Sequence, residues 1–316
     1  MYQNTMVRRV SVQHKFHHHE FDSTDALVRL KREKNVKISV VLPTLNEAQT
    51  IGSIVSYMRS HFTGAHPLID EIIVVDGNSE DETVSIASQE GASVYLISEI
   101  VPDVRVAGKG VALWKSQFVT SSDILVFIDT DIFDFDKRFV NGLLGPLLHD
   151  ESLMFSKAFY KRPLYLGSGR YENYGGRVTE ILVRPFLSAV IPDLASIIQP
   201  LAGEYAIRRS VLNKLPFWSG YGVEIGILLD VYLSCGIDSI AQVDMEDRHH
   251  RNRSVLELSR MAFGILHVML QKFERMGKMS VHAPLYETLQ CISDNSHSVA
   301  FSDIELQPFS EFEKKK

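Results

Sequence analysis

Two stretches of the sequence decide the fold. Residues 38–47 read ISVVLPTLNE, and residues 124–131 read ILVFIDTD. Each is a run of apolar, largely β-branched residues followed at once by polar residues, which is typical of a buried strand that ends at a ligand-binding edge. Similar apolar runs at residues 72–75 and 93–96 lie between them. The first part of the chain is therefore predicted to build a parallel sheet.

Helical patterns separate these strands. Residues 48–60, 81–89 and 108–120 carry apolar side chains at helical spacing. Strands that alternate with such helices form βαβ units, so the fold class is predicted to be α/β, with helices covering the faces of the sheet. Beyond residue 131 the pattern is mixed. Strands are predicted there at 154–160, 204–207 and 240–243, and helices at 137–148, 177–190, 223–235 and 254–272.

Length and hydropathy predict one large domain in the middle of the chain. The protein has 316 residues, and 45% of them are hydrophobic. We expect a domain over residues 36–275, with a first half at 36–131 and a second half at 132–275. Extensions are expected at 1–35 and 276–316, and the last six residues, which begin with Glu311, are predicted to form a solvated tail.

Composition argues against several classes of protein. A formal net charge of −6 leaves no excess of positive charge to follow a nucleic-acid backbone. The two cysteines, Cys235 and Cys291, are too few for a cysteine-rich zinc site and argue against a disulfide framework. No apolar run approaches the roughly 20 residues that span a bilayer, and the N-terminus does not read as a secretory signal. We therefore expect a cytoplasmic protein that acts on small molecules and binds neither nucleic acid nor membrane.

Three consecutive histidines, His17, His18 and His19, form a separate feature near the N-terminus. Such a cluster can bind metal adventitiously or remain from cloning, although it is shorter than an ordinary affinity tag. We interpret it as lying outside the catalytic machinery.

An acidic pair follows the strand predicted at 124–128. In Asp129-Thr130-Asp131, two carboxylates at the end of a buried strand repel each other unless a cation offsets their charge. A divalent ion there could bridge the diphosphate of a sugar nucleotide and stabilise the charge that develops as the nucleoside diphosphate leaves. An isolated pair with this spacing also occurs in solvated turns, so the neighbouring motifs decide the interpretation.

Three polar stretches precede the acidic pair, at 43–47, 76–79 and 108–110. Taken alone, Glu47 could be a first-turn helix acid, and residues 76–79 could be a turn that leads into a capped helix. At 108–110, two glycines flank Lys109 before a helix, where an ammonium group could approach a phosphate. The spacing of a P-loop is absent, which argues against an ordinary nucleotide-hydrolysing enzyme.

Taken in their order along the chain, the stretches at 43–47, 76–79, 108–110 and 129–131 resemble the nucleotide-binding half of the GT-A glycosyltransferases. Five stretches resemble one family of that fold, the glucosyl-3-phosphoglycerate synthases: GKGVALW at 108–114, GGRVTE at 175–180, QPLAGEY at 199–205, GYGVEIG at 220–226 and HHRNR at 249–253. The resemblance extends from about residue 38 to about residue 270. It implies a GT-A fold with a Rossmann-like nucleotide-binding half and a mixed-sheet half that binds the acceptor.

The resemblance also implies an activity. Such enzymes transfer glucose from UDP-glucose to the 2-hydroxyl of 3-phosphoglycerate with retention of configuration, and give glucosyl-3-phosphoglycerate and UDP. A divalent metal, Mg²⁺ or Mn²⁺, and a homodimer are implied as well. A mannosyl-3-phosphoglycerate synthase that uses GDP-mannose would have similar parts. A sugar-nucleotide-binding protein without catalysis would keep the scaffold.

Individual residues are assigned by the same resemblance. The UDP part of the donor falls to Pro43, Thr44, Leu45, Asn46, Glu47, Ser79, Lys109, Asp129 and Thr130. The metal falls to Asp131 and His250. The acceptor falls to Gly176, Arg177, Val178, Thr179, Tyr221, Gly222, Val223, Glu224 and Asn252. The residues expected to take part in catalysis are Lys109, Asp131 and Glu224.

Physical chemistry agrees with two of these assignments. A helix start that carries Arg177 and Thr179 offers N–H groups, a guanidinium and a hydroxyl to a phosphate. Glu224 is expected to bind hydroxyl groups of sugar or acceptor rather than to act as a nucleophile, so we expect front-face displacement in which the leaving phosphate helps to deprotonate the acceptor.

The sequence departs from the family pattern at two places. The family commonly has serine at the position of Thr130, and often reads Asp-Ser-Gly-Ser at 76–79, but neither departure removes a charge.

Overall fold

A mixed eight-stranded sheet is the centre of the fold. The computed structural model describes residues 14–64, 67–161, 164–166, 169–171, 176–247, 254–291 and 297–314. Its strands are β1 His14–His17, β2 Ile38–Thr44, β3 Glu71–Asp76, β4 Ser93–Leu96, β5 Ile124–Phe127, β6 Phe155–Lys161, β7 Leu164–Leu166, β8 Gly169–Tyr171, β9 Tyr205–Arg208, β10 Phe217–Trp218, β11 Ile240–Asp247, β12 Thr288–Cys291, β13 His297–Ala300 and β14 Glu305–Leu306. Its helices are α1 Thr24–Lys34, α2 Ile51–Phe62, α3 Thr83–Gln89, α4 Lys109–Ser116, α5 Lys137–His149, α6 Arg184–Val190, α7 Arg209–Leu212, α8 Val223–Cys235, α9 Val255–Arg275 and α10 Phe309–Glu313.

The strand order of this sheet is β1-β11-β6-β9-β5-β2-β3-β4. Strand β9 runs antiparallel to both of its neighbours, β5 and β6, whereas the other pairings are parallel. The three remaining strand pairs, β7-β8, β10-β14 and β12-β13, are separate two-stranded sheets. The predicted α/β class is confirmed, and so is the change from a parallel pattern to a mixed one after residue 131.

Both faces of the sheet are buried, because its strands are apolar at consecutive positions rather than at alternate ones. Val40 and Leu42 point to one hydrophobic cluster, which also holds the apolar faces of α2 and α5. Val41, between them, points to a second cluster with residues of α4, α8 and α9. Successive side chains of a strand alternate between its two faces, so one strand supplies both cores.

The predicted helices of the first half are present, but α2 begins at Ile51 instead of residue 48. The N–H groups of Thr50 and Ile51 donate to the carbonyl oxygen of Glu47, so the chain makes a turn before the helix. This turn places Glu47 in the loop that follows β2. None of the helices in the described part of the chain combines the length and the apolar character that a membrane span requires.

The first and the last of the described residues pack onto the central sheet or its helices. Strand β1 pairs in parallel with β11, and the ring of Phe21 lies where a side chain on Gly145 of α5 would have to go. At the other end, Trp114 Nε1 donates to the carbonyl oxygen of Gln307 over 2.9 Å, and the Phe312 ring centroid lies 5.1 Å from that of Trp114. The predicted solvated tail is therefore wrong at Phe312, because this side chain finds an aromatic partner on α4.

Candidate active site

The ends of β2, β3 and β5 meet at one edge of the sheet. Strand β2 lies between β5 and β3, and all three are parallel, so the residues after them are neighbours. Thr44 is paired in register with Asp76. Thr130 Oγ1 donates to the carbonyl oxygen of Pro43 over 3.1 Å, and Thr50 Oγ1 donates to the carbonyl oxygen of Thr130 over 2.5 Å. The predicted convergence of strand ends is present.

Asp76 holds the loop that follows β2. Its carboxylate is fully buried and accepts hydrogen bonds from Thr44 Oγ1 at 2.8 Å, from Ser79 Oγ at 2.6 Å and from Ser79 N at 2.7 Å. Asn46, in the left-handed region at φ 57°, donates its N–H to Ser79 Oγ over 2.8 Å. Leu45 beside it is 58% exposed. Residues 76–79 thus form a turn, and this turn fixes the loop predicted to hold the donor.

Negative charge gathers around Glu47. Burial raises the pKa of Glu47 to about 7, and the carboxylates of Asp131, Asp129 and Asp81 raise it in the same direction. Acidic side chains placed this close together favour a cation among them. Carboxylate oxygens are the ligands that Mg²⁺ and Mn²⁺ prefer. This donor set fits the predicted divalent ion at Asp131. The second predicted ligand, His250, lies outside the described residues.

Lys109 connects the two halves of the chain. Its Nζ lies 2.5 Å from Asp129 Oδ1 and 2.7 Å from Glu224 Oε1. Burial alone would lower the pKa of Lys109, but the carboxylates of Asp129 and Glu224 outweigh burial and hold it well above its usual value. The side chain is therefore a fixed positive charge, about a quarter exposed, between the acidic pair after β5 and the first turn of α8.

Two glycines allow this contact. A side chain on Gly110 would overlap the carbonyl oxygen of Trp218, and one on Gly108 would overlap that of Ser219. Gly108 also has φ 129°, a conformation that other residues rarely adopt. Gly110 N donates to the carbonyl oxygen of Ser219 over 3.0 Å. The glycines thus let the start of α4 press against the segment before α8, which brings Lys109 to Glu224.

A buried layer beneath the acidic pair was not predicted from the sequence. Asp129 packs against Gly203, where any side chain would overlap its carboxylate. Lys157 Nζ donates to the carbonyl oxygen of Ala202 over 2.5 Å. Burial lowers the pKa of Lys157 to about 8, and Glu224 and Glu204 partly oppose that shift. A lysine inside the apolar strand FSKAFYK was the one signal that could have revealed this layer.

The predicted acceptor residues lie in two further elements. The helix predicted from residue 177 is present, and its residues Thr179–Val183 form a π-helical turn, a feature common at functional sites. Gly176 precedes it at φ 78°. Arg177 and Val178 are partly buried and Thr179 is 1% exposed. Asn252 lies outside the described residues.

The second acceptor segment surrounds the start of α8. Tyr221 is 45% exposed, whereas Val223 is fully buried and Glu224 is 5% exposed. Gly222 is the N-cap residue of α8, so Glu224 lies in the first turn, where the helix dipole stabilises a negative charge. The structure thus brings together Glu47, Lys109, Asp129, Asp131 and Glu224. Residues 177–179 lie in a separate helix, which Gly176 precedes.

Comparison with known proteins identifies the family. Residues 39–187 match the model of glycosyl transferase family 2. The chain is 46% identical to the glucosyl-3-phosphoglycerate synthase of Petrotoga mobilis over 271 residues, which are 85% of this chain and 83% of that protein. It is also 44% identical to the synthase of Mycolicibacterium smegmatis over 236 residues, or 74% of this chain and 77% of that protein.

Solved structures agree. A crystal structure of glucosyl-3-phosphoglycerate synthase from Mycobacterium tuberculosis, in complex with Mn²⁺, UDP-glucose and phosphoglyceric acid, matches with a TM-score of 0.80 and 38% identity, over 92% of this chain and 95% of that one. Mannosyl-3-phosphoglycerate synthase from Rubrobacter xylanophilus matches with a TM-score of 0.85 and 32% identity, over 95% and 97%. This chain therefore has the GT-A fold and belongs to the glucosyl-3-phosphoglycerate synthase family of glycosyltransferases.

Proposed function

We propose that this protein transfers glucose from UDP-glucose to the 2-hydroxyl of 3-phosphoglycerate, which gives glucosyl-3-phosphoglycerate and UDP. The observation that carries the proposal is the position of Lys109 between Asp129 and Glu224. Asp129 ends the half that resembles a nucleotide-binding domain, and Glu224 begins the helix assigned to the acceptor. One ammonium group would thus lie between the proposed donor and acceptor sites.

Each charged group has a role in this reaction. Asp131, with His250 and the carboxylates near it, would hold Mg²⁺ or Mn²⁺, which offsets the negative charge on the departing UDP. Lys109 would add a fixed positive charge beside the same diphosphate. The loop from Pro43 to Glu47 would bind the uridine, because Asp76 and Ser79 already hold its backbone in place.

Glu224 is suited to orientation rather than to covalent chemistry. It is 5% exposed, and its carboxylate is held by Lys109. A carboxylate fixed in this way accepts hydrogen bonds from substrate hydroxyls but has little freedom to attack a sugar carbon. We therefore propose front-face displacement with retention, in which the leaving phosphate helps to take the proton from the acceptor hydroxyl. Arg177 and Asn252 would hold the acceptor.

The alternative donor is GDP-mannose, and the similarity to the mannosyl-3-phosphoglycerate synthase of Rubrobacter xylanophilus favours testing it. Release of nucleoside diphosphate is measured with 3-phosphoglycerate and a panel of UDP-glucose, GDP-glucose, UDP-galactose and GDP-mannose. We expect the highest kcat/KM with UDP-glucose. A higher value with GDP-mannose would reassign the donor, and binding without release of UDP would make the protein a sugar-nucleotide binder.

The homodimer and the cytoplasmic location remain predictions. The homodimer is implied by the resemblance alone, and sedimentation equilibrium of the full chain tests it: a single species of twice the 35.7 kDa chain mass is expected. The cytoplasmic location rests on composition, and cell fractionation is the matching experiment.

A further inference from the structure

The three histidines near the N-terminus surround one carboxylate. Strand β1 pairs with β11 so that His17 is in register with Asp244, and the short helical turn His18–Phe21 follows. The Nε2 atoms of His17, His18 and His19 lie 3.6, 3.6 and 3.5 Å from the carboxylate oxygens of Glu246. One potential ligand atom from each of the four residues lies within 4.8 Å of all the others.

Strand β11 is distorted where it presents Glu246. Its register with β6 shifts between Asp244 and Asp247, and Glu246 has φ 62°, in the left-handed region. The N–H of Glu246 donates to Asp244 Oδ1 over 2.9 Å, which holds this irregularity. Bulges of this kind redirect side chains at functional sites, and strained backbone at a non-glycine residue persists where something compensates for it. The distorted backbone therefore indicates that the Glu246 carboxylate has a function.

His18 provides an independent observation. It is 6% exposed, and neither of its ring nitrogens has a hydrogen-bond partner among the described residues. Buried polar atoms almost always have a hydrogen bond, so a buried imidazole that has none calls for an explanation.

The distances between the three rings and Glu246 fit a shared metal ion better than direct hydrogen bonds. Separations of 3.5–3.6 Å between ring nitrogens and carboxylate oxygens are too long for good hydrogen bonds. Ligands arranged tetrahedrally around Zn²⁺ at about 2.0–2.1 Å lie roughly 3.3–3.4 Å from one another. We propose that His17, His18, His19 and Glu246 bind one zinc ion. Three imidazoles and one carboxylate suit Zn²⁺, whereas Mg²⁺ prefers oxygen ligands.

This site is distinct from that of the divalent ion in the transfer reaction. Asp129 and Asp131 follow β5, whereas Glu246 lies on β11, three strands away in the sheet. At the usual strand spacing this is roughly 14 Å. The zinc ion would tie the N-terminal segment to the end of β11, directly before residues 248–253. In the sequence, that stretch contains His250 and Asn252, which the family resemblance assigns to the catalytic metal and to the acceptor.

The four ligands are not equivalent. His17 Nδ1 accepts a hydrogen bond from the N–H of His19 over 3.3 Å. Coordination through His17 Nε2 would put the proton on Nδ1, where it would face that N–H. We therefore expect His17 to be the weakest ligand. His18, which is buried, and Glu246, which faces all three rings, are expected to contribute most.

The test is zinc binding by the full chain, measured in competition with a chromophoric chelator. The background carries Asp131→Asn and His250→Ala, so that the proposed catalytic site does not compete for the ion. We expect one zinc per chain. Glu246→Ala, His18→Ala or His19→Ala should each weaken zinc binding by more than roughly 100-fold. Loss of a residue that only supports a metal ligand costs at most about that factor. His17→Ala should cost less. Matched controls are His61→Ala and Glu151→Gln, exposed residues of the same types, which should change nothing.

Two further measurements protect the test against misfolded variants. Co²⁺ bound at this site should show the intense visible absorption of tetrahedral coordination, and zinc should raise the Tm of the background but not of its Glu246→Ala form. His19 is 64% exposed, so His19→Ala leaves the core intact. The proposal is overturned if the background binds zinc no more tightly than its His19→Ala and Glu246→Ala forms, because the histidines would then bind metal only adventitiously. None of these readouts depends on glucosyl transfer.

Discussion

Lys109 Nζ lies 2.7 Å from Glu224 Oε1, and this contact joins the first turn of α4 to the first turn of α8. The same nitrogen lies 2.5 Å from Asp129 Oδ1. The two carboxylates belong to residues that are far apart in the sequence, one directly after β5 and the other in α8. A single cation therefore holds the proposed donor side and acceptor side of the site in one arrangement.

We expect Lys109→Met to lower kcat by about 100-fold or more, because it removes a fixed positive charge beside the leaving diphosphate and the cation that Asp129 and Glu224 share. Steady-state release of UDP measures the effect. Lys37→Met, at an exposed lysine, is the matched control and should behave like the wild type. A Lys109→Met enzyme that keeps a kcat within about threefold of the wild type would remove Lys109 from the reaction.

The strand ends of the donor half could be predicted from the sequence because the signal is local. An apolar run that stops at polar residues marks both the strand and its functional end, as at Asp76 and Asp129. The motif at 108–110 also indicated that the ammonium group of Lys109 could approach a phosphate. It could not show that Gly110 is required by the carbonyl oxygen of Trp218, because that contact exists only after α4 and β10 come together.

Other features depend on partners far away along the chain. The C-terminal residues carry charges typical of a solvated end, yet Phe312 packs against Trp114. His17, His18 and His19 are adjacent in sequence. Their grouping as a candidate metal site depends on Glu246, which lies more than two hundred residues later. Neither contact has a periodic signal, so neither could be predicted without the fold.

Asp131→Asn should abolish most of the activity, since losing a charged ligand weakens the metal that stabilises the departing UDP. Activity is measured as a function of Mn²⁺ or Mg²⁺ concentration, and the variant should need far more metal and reach a lower maximum. Asp134→Asn is the control, because Asp134 is already paired with Arg138 at 2.9 Å. Full turnover by wild-type enzyme stripped with a chelator and assayed without added ion would refute the metal requirement.

Lys272 is the centre of a buried ion cluster that ties α9 to α8 and β14. Its Nζ lies 2.7 Å from Asp230 Oδ2 and 2.9 Å from Glu305 Oε1. Lys272→Met would leave the buried carboxylate of Asp230 without its cation, whereas Glu305 would keep its ion pair with Arg275. We expect it to lower the free energy of unfolding by about 3–5 kcal/mol. Chemical denaturation measures this. The exposed Lys278→Met should cost much less, and equal costs for both variants would show that the cluster does not stabilise the fold.

The same cluster predicts a pH dependence of stability. Burial raises the pKa of Asp230 from 3.8 to about 6, against the opposing effect of Lys272. Between these two values the folded chain binds more protons at Asp230 than the unfolded chain does, so the contribution of Asp230 to stability falls as the pH rises from about 4 to about 6. The full difference is about 3 kcal/mol.

Asp230→Asn isolates this effect, because the variant cannot titrate at that position. The free energy of unfolding of the wild type should fall relative to that of the variant across pH 4–6, as followed by denaturant titration at several pH values. If the difference between the two proteins is the same at pH 4 and pH 6, Asp230 titrates normally in the folded chain.

Arg177→Ala should weaken the acceptor far more than the donor, because we propose that the guanidinium forms charge-assisted hydrogen bonds with the phosphate of 3-phosphoglycerate. Losing one such contact costs about 1.5–3 kcal/mol, or roughly 10- to 100-fold in acceptor affinity. Isothermal titration of each substrate separates the two effects, and the dissociation constant of UDP-glucose should hardly change. Arg184→Ala is not a suitable control, since Arg184 holds the same helix through Glu180 and three carbonyl oxygens.

Unphosphorylated glycerate is the better control for Arg177. It lacks the group that Arg177 is proposed to hold, so it should be a poor acceptor for the wild type and hardly worse for Arg177→Ala. The ratio of kcat/KM for 3-phosphoglycerate to that for glycerate should therefore fall by the same 10- to 100-fold in the variant. If Arg177→Ala instead loses the same factor with both acceptors, the ratio stays constant and Arg177 does not recognise the phosphate. The assignment of the helix start at Arg177 to the acceptor would then have to be withdrawn.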